Sequence, residues 1–345
     1  MNVISKEWTG PLCIVLGISA LIAVALAPFG ESPADGFATF LQGAFGSPQK
    51  ICETLVKMCP LLFTGLAVAL AFQTGAFNIG AEGQYVLGAL GAVLVGSNLE
   101  GVPSWIAVPL VLAAAFIAGG IWGGLAGVLK GWRDVPEVIS TIMLNFIALY
   151  WLSALIRGPL RNTVSGLPES GEIAASAELV RFVSGYRLHA GIPFGILFAA
   201  LVYLLLSRTV AGYKMRAVGF NPDAAKFAGY RPGLIQASSL ALSGALAGLG
   251  GGVQVAAITF NVTDNYGAGC GYTAIAVALM ARLHPLAVIL TAFFFGALEQ
   301  GAGALQRSLG VPLAMVYIVQ ALVILLTLVL GFHRPGERIS EAETA

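Results

Sequence analysis

The chain has 345 residues, 57% hydrophobic and only 10% charged, with a net charge of +1. A soluble domain carries about 25% charged residues, so charges this sparse cannot cover a water-facing surface of this size. The mean hydropathy of +0.86 agrees, and the near-neutral balance gives no reason to expect nucleic-acid binding. A membrane span needs about 20 apolar residues. In chain order that test places segments near 10–29, 55–74, 84–98, 104–129, 137–157, 191–207, 234–258, 272–283, 285–300 and 311–331. The expected fold is therefore all-α, a polytopic transmembrane helical bundle of about ten membrane segments in a single domain. Segment 10–29 carries Ala25-Leu26-Ala27, which has the form of a signal-peptidase site, but Lys6 is the only basic residue before it and many spans follow. It reads as an uncleaved first span. Segments 84–98, 272–283 and 285–300 are short, as half-helices or re-entrant elements lining a cavity are.

Basic residues of the connections set the orientation. With the N-terminus inside, Lys130, Arg133, the run Arg208 to Arg231, Arg282, Arg334 and Arg338 fall on the cytoplasmic side. Residues about 158–190 then form an external loop, expected to hold a short interfacial helix. Residues about 208–233 form a basic cytoplasmic loop. Within it Asn221 is a good N-cap, Pro222 suits the first helical position, Asp223 suits the first turn, and Gly229 is a natural stop. This predicts a two-turn helix between them.

The four cysteines, Cys13, Cys52, Cys59 and Cys270, form no CxxC or Cys/His cluster, so they read as small apolar packing residues and no metal site is expected. The three histidines, His189, His284 and His333, all fall at loops or ends, which gives no proton relay. The chain has no GxxxxGK[ST], so it has no P-loop of its own. No nucleophile–base arrangement stands out, and no catalytic residue is expected.

The densest polar cluster inside apolar sequence is Phe72-Gln73-Thr74-Gly75-Ala76-Phe77-Asn78-Ile79-Gly80-Ala81-Glu82-Gly83-Gln84-Tyr85. Its glycines permit a broken helix. Asn78, Glu82 and Gln84 offer donors and acceptors to a polar solute, and an intramembrane Glu is expensive unless it serves a function. An ordinary cytoplasmic loop with a solvated Glu is the alternative. Glu137 begins the next polar run and caps the positive end of its helix. Asn145, two turns further in, needs a partner if buried: a neighbouring helix or the solute. Phe77-Asn78-Ile79-Gly80 is echoed by Phe260-Asn261-Val262-Thr263, each followed by a Gly-rich polar break and a short small-residue helix. Two transporter halves that each contribute a broken helix to a central site have that layout. Phe72, Phe77, Phe260, Tyr266 and Tyr272 flank the two breaks. Glu299, Gln300, Asp264 and Asn265 read as rim or packing groups rather than a coupling-ion site.

GLAVALAFQTGAFNIGAEGQYVLGA, EVISTIMLNFIALY and GYKMRAVGFNPDAAKFAGY, in that order, resemble the permease subunits of bacterial ABC importers, and most of all the branch assigned to nucleosides and simple sugars, which is related to the ribose and branched-chain amino-acid permeases. FNIGAEGQ with the TIMLNFIA run is specific to the nucleoside-type branch, and the insert containing LPES resembles the longer of two paired permeases. The resemblance covers nearly the whole chain and implies one transmembrane permease domain over 1–345 in the bacterial inner membrane. It implies as partners a second homologous permease, an ABC ATPase subunit that binds the ATP, an extracytoplasmic solute-binding protein, a small polar solute and the lipid bilayer. It implies that Gly219, Asn221, Ala224, Ala225 and Gly229 form the coupling helix that sits in a groove of the ATPase. Phe72, Phe77, Asn78, Glu82, Gln84 and Asn145 would lie on or near the translocation pathway. The solute would be a nucleoside or a simple sugar. An ion-coupled secondary transporter using Glu82 or Asp264 is the other reading. Cys270 is unusual for the family at its position.

Overall fold

The computed structural model describes residues 32–310, except 184 and 268, and a few positions between 312 and 325. The span expected at 10–29, and nearly all of that at 311–331, lie outside the described residues. Among the described residues six helices are long and apolar enough to cross a membrane, and two shorter apolar helices join them. The expectation of about ten segments is thus not reached within the described residues.

In chain order the helices are α1 (Pro33–Phe45), α2 (Pro48–Gln73), α3 (Ala81–Gly96), α4 (Ser104–Arg133), α5 (Glu137–Arg157), α6 (Gly191–Arg208), α7 (Val210–Phe220), α8 (Pro222–Phe227), α9 (Pro232–Gln254), α10 (Cys270–Met280) and α11 (Pro285–Leu309). Hydropathy located the apolar body of each spanning helix but not its polar turns. Helix α2 begins at Pro48 rather than near 55, and α11 continues to Leu309 rather than stopping near 300. Lys50, Glu53, Lys57, Glu299, Gln300 and Arg307 all propagate helix well while failing a test for apolar spans. Helices α1 and α7 were missed for the same reason.

Two compact units are present, one of residues 1–54 and 297–345 and one of Leu55–Gly296. In the described part of the first, Thr54 Oγ1 donates to the Ala44 carbonyl at 2.9 Å, and Gly43 and Gly301 leave room for Ala304 and Phe40. The second unit holds everything discussed below.

Its centre is α9, which packs against α3 and α4. Lipid tails are as apolar as leucine, so membrane helices associate through close packing, and small residues permit it. Ala115, Gly119, Gly123 and Gly127 repeat every four residues on α4, facing Ala237, Gly244 and Gly248 of α9. A Cβ on Gly248 would overlap the backbone at Ala115 and Gly119, and a Cβ on Gly88 would overlap the backbone at Gly248. Helix α9 ends in a turn of π-helix, Val255–Thr259, and then Phe260 turns left-handed at φ 60°.

Among the described residues of 158–190 the expected interfacial helix is not found: they hold a 3-10 turn, Ala175–Ala177. The backbone of the segment is spent on neighbours instead. Ile173 N–H donates to the Phe260 carbonyl, Ala174 N–H to Gly96 and Leu179 N–H to Ala256, at 2.8, 2.9 and 2.8 Å. A short isolated helix is marginal, and these tertiary bonds satisfy the same groups.

Candidate functional site

Helix α2 stops at Gln73, and Gly75 takes φ 71° to turn the chain. Residues 74–80 then climb beside the first turns of α5 before α3 begins at Ala81. A backbone out of helix inside a bilayer must find partners for its N–H groups. Two come from one stripe of α5, and the same stripe takes an N–H from the first turn of α3. Glu137 Oε1 accepts from Phe77 N–H at 3.4 Å, Thr141 Oγ1 from Ile79 N–H at 3.3 Å, and Asn145 Oδ1 from Gly83 N–H at 2.8 Å. Their spacing of four residues puts all three side chains on one helix face.

Asn78 closes the break from the other side. Its Nδ2 donates to Gln84 Oε1 and to Ser243 Oγ, each at 2.8 Å, while its Oδ1 accepts from Gly80 N–H at 2.8 Å. Ser243 in turn donates to the Ala67 carbonyl at 2.6 Å. Thr74 and Ser239 hydrogen-bond at 2.9 Å, and Gln73 Nε2 reaches the Leu283 carbonyl at 2.6 Å. Asn78 and Asn145 are fully buried and Gln84 nearly so.

The second break, residues 260–269, is built differently. Phe260, Asn265, Gly267 and Gly269 all have positive φ, at 60, 60, 99 and 88°. Its backbone meets the 158–190 segment: Ser170 N–H donates to the Val262 carbonyl at 2.9 Å and Asp264 N–H to Pro168 at 3.2 Å. Arg157 pairs with Asp264, and its guanidinium holds the Asp264 carboxyl below the usual carboxylate range. The Arg181 guanidinium lies 5.3 Å over the Phe260 ring. Nearby His189 is fully buried, its Nδ1 accepting from Gly191 N–H at 3.1 Å. Burial, with Arg181 and Arg187 adding repulsion, pushes its imidazole down to about 4.

The two breaks meet at Glu82. One carboxylate oxygen accepts from Gly269 N–H at 2.9 Å and the other from Gly271 N–H at 2.6 Å. The carboxylate of α3 thus occupies the positive end of α10, where a negative charge is favoured. Beside it Asn145 Nδ2 donates to the Ile79 carbonyl at 2.8 Å and to Tyr272 Oη at 3.2 Å.

Of the pathway candidates, Asn78, Glu82, Gln84 and Asn145 are therefore buried and brought together. Phe72 and Phe77 contact each other edge-on at 5.1 Å, and Phe77 is half exposed. The short helix expected between Asn221 and Gly229 is present as α8: Asn221 Oδ1 accepts from Asp223 N–H and Ala224 N–H, both at 3.0 Å, and Gly229 has φ 85°, whereas Gly219 falls in α7. Ala225 is buried while Ala224 is exposed. Gly219 lies against the first break, and a Cβ there would overlap the Gln73 carbonyl. Sequence reasoning missed Thr141, Ser243 and the Tyr272 hydroxyl. The four-residue spacing Glu137, Thr141, Asn145 was a legible signal for the first. It also missed Phe220, the last residue of α7, and Phe227, the last of α8, which are 82% and 94% exposed. Among the described residues no group of three or more His, Cys, Asp or Glu could hold a metal.

Residues 50–328 match the family described as branched-chain amino acid transport system / permease component. The chain is 38% identical to the guanosine ABC transporter permease protein of Bacillus subtilis, over 91% of this chain and 90% of the other. It is 33% identical to a glucose ABC transporter permease protein of Haloferax volcanii, over 94% and 88%, and 29% identical to a nucleoside ABC transporter permease protein of Lactococcus lactis, over 94% and 91%. No solved structure matches the chain. With its multi-pass helical body and the match over most of its length, this chain belongs to the branched-chain amino acid transport system / permease component family and is a membrane permease of the ABC-transporter type.

Proposed function

We propose that this chain is the transmembrane subunit of an ATP-binding-cassette importer that moves a nucleoside into the cytoplasm across a bacterial inner membrane. It works with a second homologous permease, an ABC ATPase that binds the ATP, and an extracytoplasmic solute-binding protein. The observation that carries the reading is the contact between the 208–233 loop and the first break. Helix α8 is short, capped by Asn221, and flanked by two exposed phenylalanines on a loop rich in Lys and Arg. Exposed aromatics of this kind serve as anchors in a partner's pockets. Just before α8, Gly219 touches the chain at Gln73 and Gly75 with nothing but backbone between them. A push on α8 by an ATPase therefore arrives at the break.

At the break, Asn78, Gln84, Asn145 and Glu82 use their hydrogen-bonding capacity on the protein itself. They hold the shape of the translocation pathway, and Phe72 and Phe77 supply the ring faces against which a flat solute slides. Similarity to guanosine and nucleoside permeases supports a nucleoside as the solute. The glucose permease of Haloferax volcanii supports a simple sugar as the second reading. An ion-coupled transporter is disfavoured, because Glu82 and Asp264, the carboxylates it would use, are already engaged with backbone N–H groups and with Arg157.

The test is uptake by vesicles carrying the assembled transporter, with labelled guanosine and labelled glucose offered in competition. Guanosine uptake that excess glucose leaves unchanged fits the proposal. Uptake of glucose alone would replace the nucleoside with the sugar. Phe227→Ser should also release the ATPase from the detergent-purified complex while the chain stays in the membrane. An ATPase that remains bound would remove α8 as its docking site.

A further inference from the structure

We propose that Glu82 is the joint through which the external side of the permease and its ATPase-facing end sense one another. This rests on the reading that α8 meets the ATPase and that residues 158–190 face the extracytoplasmic side. Each break is tied to the loop on its own side of the membrane. The second is laced to the external loop by Ser170 and Ile173, and its Asp264 pairs with Arg157 at the end of α5, where that loop begins. The first touches the cytoplasmic loop where Gly75 meets Gly219. Between them stands one buried carboxylate. It belongs to the first turn of α3, which continues the first break, and both its oxygens grip the first turn of α10, which continues the second.

The packing leaves this grip little slack. A Cβ on Gly271 would overlap the backbone of Ala81 and Glu82, so the two helix starts are already in contact. A Cβ on Gly267 would stand 2.8 Å from Glu82 Oε1. Tyr272, one residue beyond Gly271, adds the hydroxyl contact to Asn145, which also holds Gly83 and Ile79. A displacement of the second break by a docked binding protein must carry the start of α10 with it. Through Glu82 it then carries α3 and the break that rests on Gly219. Glu82 acts as a positioning residue here and touches no solute.

Glu82→Gln is the decisive variant. The amide keeps the volume and one acceptor, but it presents an N–H where the second backbone N–H needs an oxygen. The assembled transporter, with both permeases and the ATPase in vesicles, is assayed for ATP hydrolysis with the binding protein added empty and then loaded. The loading solute is guanosine or glucose, whichever the uptake competition selects. We expect the ratio of hydrolysis with loaded binding protein to hydrolysis without it to fall about tenfold, the effect of losing a hydrogen bond to a charged group. Stimulation equal to wild type would overturn the joint. Should Glu82→Gln fail to assemble, Tyr272→Phe, which removes one hydroxyl and keeps the ring, decides the matter. Stimulation about threefold lower supports the proposal and no change defeats it. Ala225→Asp is run alongside. If it removes stimulation while Glu82→Gln does not, the joint fails and the coupling-loop reading stands. If Ala225→Asp is also silent, that reading falls too.

Discussion

The two breaks begin alike in sequence, Phe77-Asn78-Ile79 and Phe260-Asn261-Val262, yet they are stabilised by different means. In the first, side chains do the holding. Glu137 and Thr141 take its N–H groups from one face of α5, Asn145 on the same face takes one from the first turn of α3, and Asn78 ties the break to α9 through Ser243. In the second, the backbone is held by another stretch of backbone, residues 158–190, and by glycines that tolerate positive φ. A break fixed by buried side chains fails abruptly when one is removed, because each lost partner strands a polar group in an apolar interior. A break fixed by an outer loop can move with that loop. The contrast fits a pathway with a rigid floor and a movable roof.

The largest effect should come from breaking the contact on the first side. Gly219→Glu has no space beside the Gln73 carbonyl, and Ala225→Asp buries a charge on the inner face of α8. Either should lower uptake about a hundredfold or more, given the cost of an unpaired buried charge, while the amount of chain in the membrane fraction stays the same. Uptake within a few-fold of wild type would remove the coupling role.

Next comes a direct comparison of the breaks. Asn145→Ala strands the Gly83 N–H and the Ile79 carbonyl and should cost about 2–5 kcal/mol of stability. In the second break Asn261→Ala loses a single part-buried bond to Glu169, at 3.2 Å, and should cost under ~1 kcal/mol. Thermal unfolding in detergent separates them; equal losses would undo the distinction drawn between the two breaks.

A smaller, pH-dependent effect belongs to the second side. His189 titrates at about 4 in the folded chain, below its usual 6.5. The unfolded chain therefore binds more protons between those values, so stability is fully present above about 6.5 and is lost as pH falls towards 4. The loss should approach on the order of 2–3 kcal/mol. His189→Asn should unfold with a flatter pH profile across that window; an unchanged slope would assign the acid sensitivity to other groups. The Arg157–Asp264 pair is more exposed, and Asp264→Asn at neutral pH should shift stability by no more than ~1 kcal/mol.

Much of this was legible in the sequence, for reasons that differ by element. The helix at 222–227 could be read because its cap, its proline and its terminating glycine are local signals, and the capping bonds of Asn221 follow from them. Composition exposed the membrane body, because a bilayer demands long apolar runs. What stayed hidden was tertiary. Nothing near Glu82 announces that its partners are Gly269 and Gly271, nearly two hundred residues on. The 158–190 segment looked able to form a helix, and its backbone instead found acceptors on α3 and beyond α9. Gly219 read as part of a coupling element, but its closeness to Gln73 follows only from the packing.

The central claim is that ATP hydrolysed by a partner drives solute through this chain, and energetics tests it most directly. Vesicles carrying the chain, its partner permease and the ATPase are supplied with loaded binding protein. Uptake is measured after ionophores collapse every ion gradient, and again with gradients intact and ATP depleted. The account predicts that uptake persists in the first condition and ceases in the second. Uptake that collapses with the gradients and survives without ATP would contradict it.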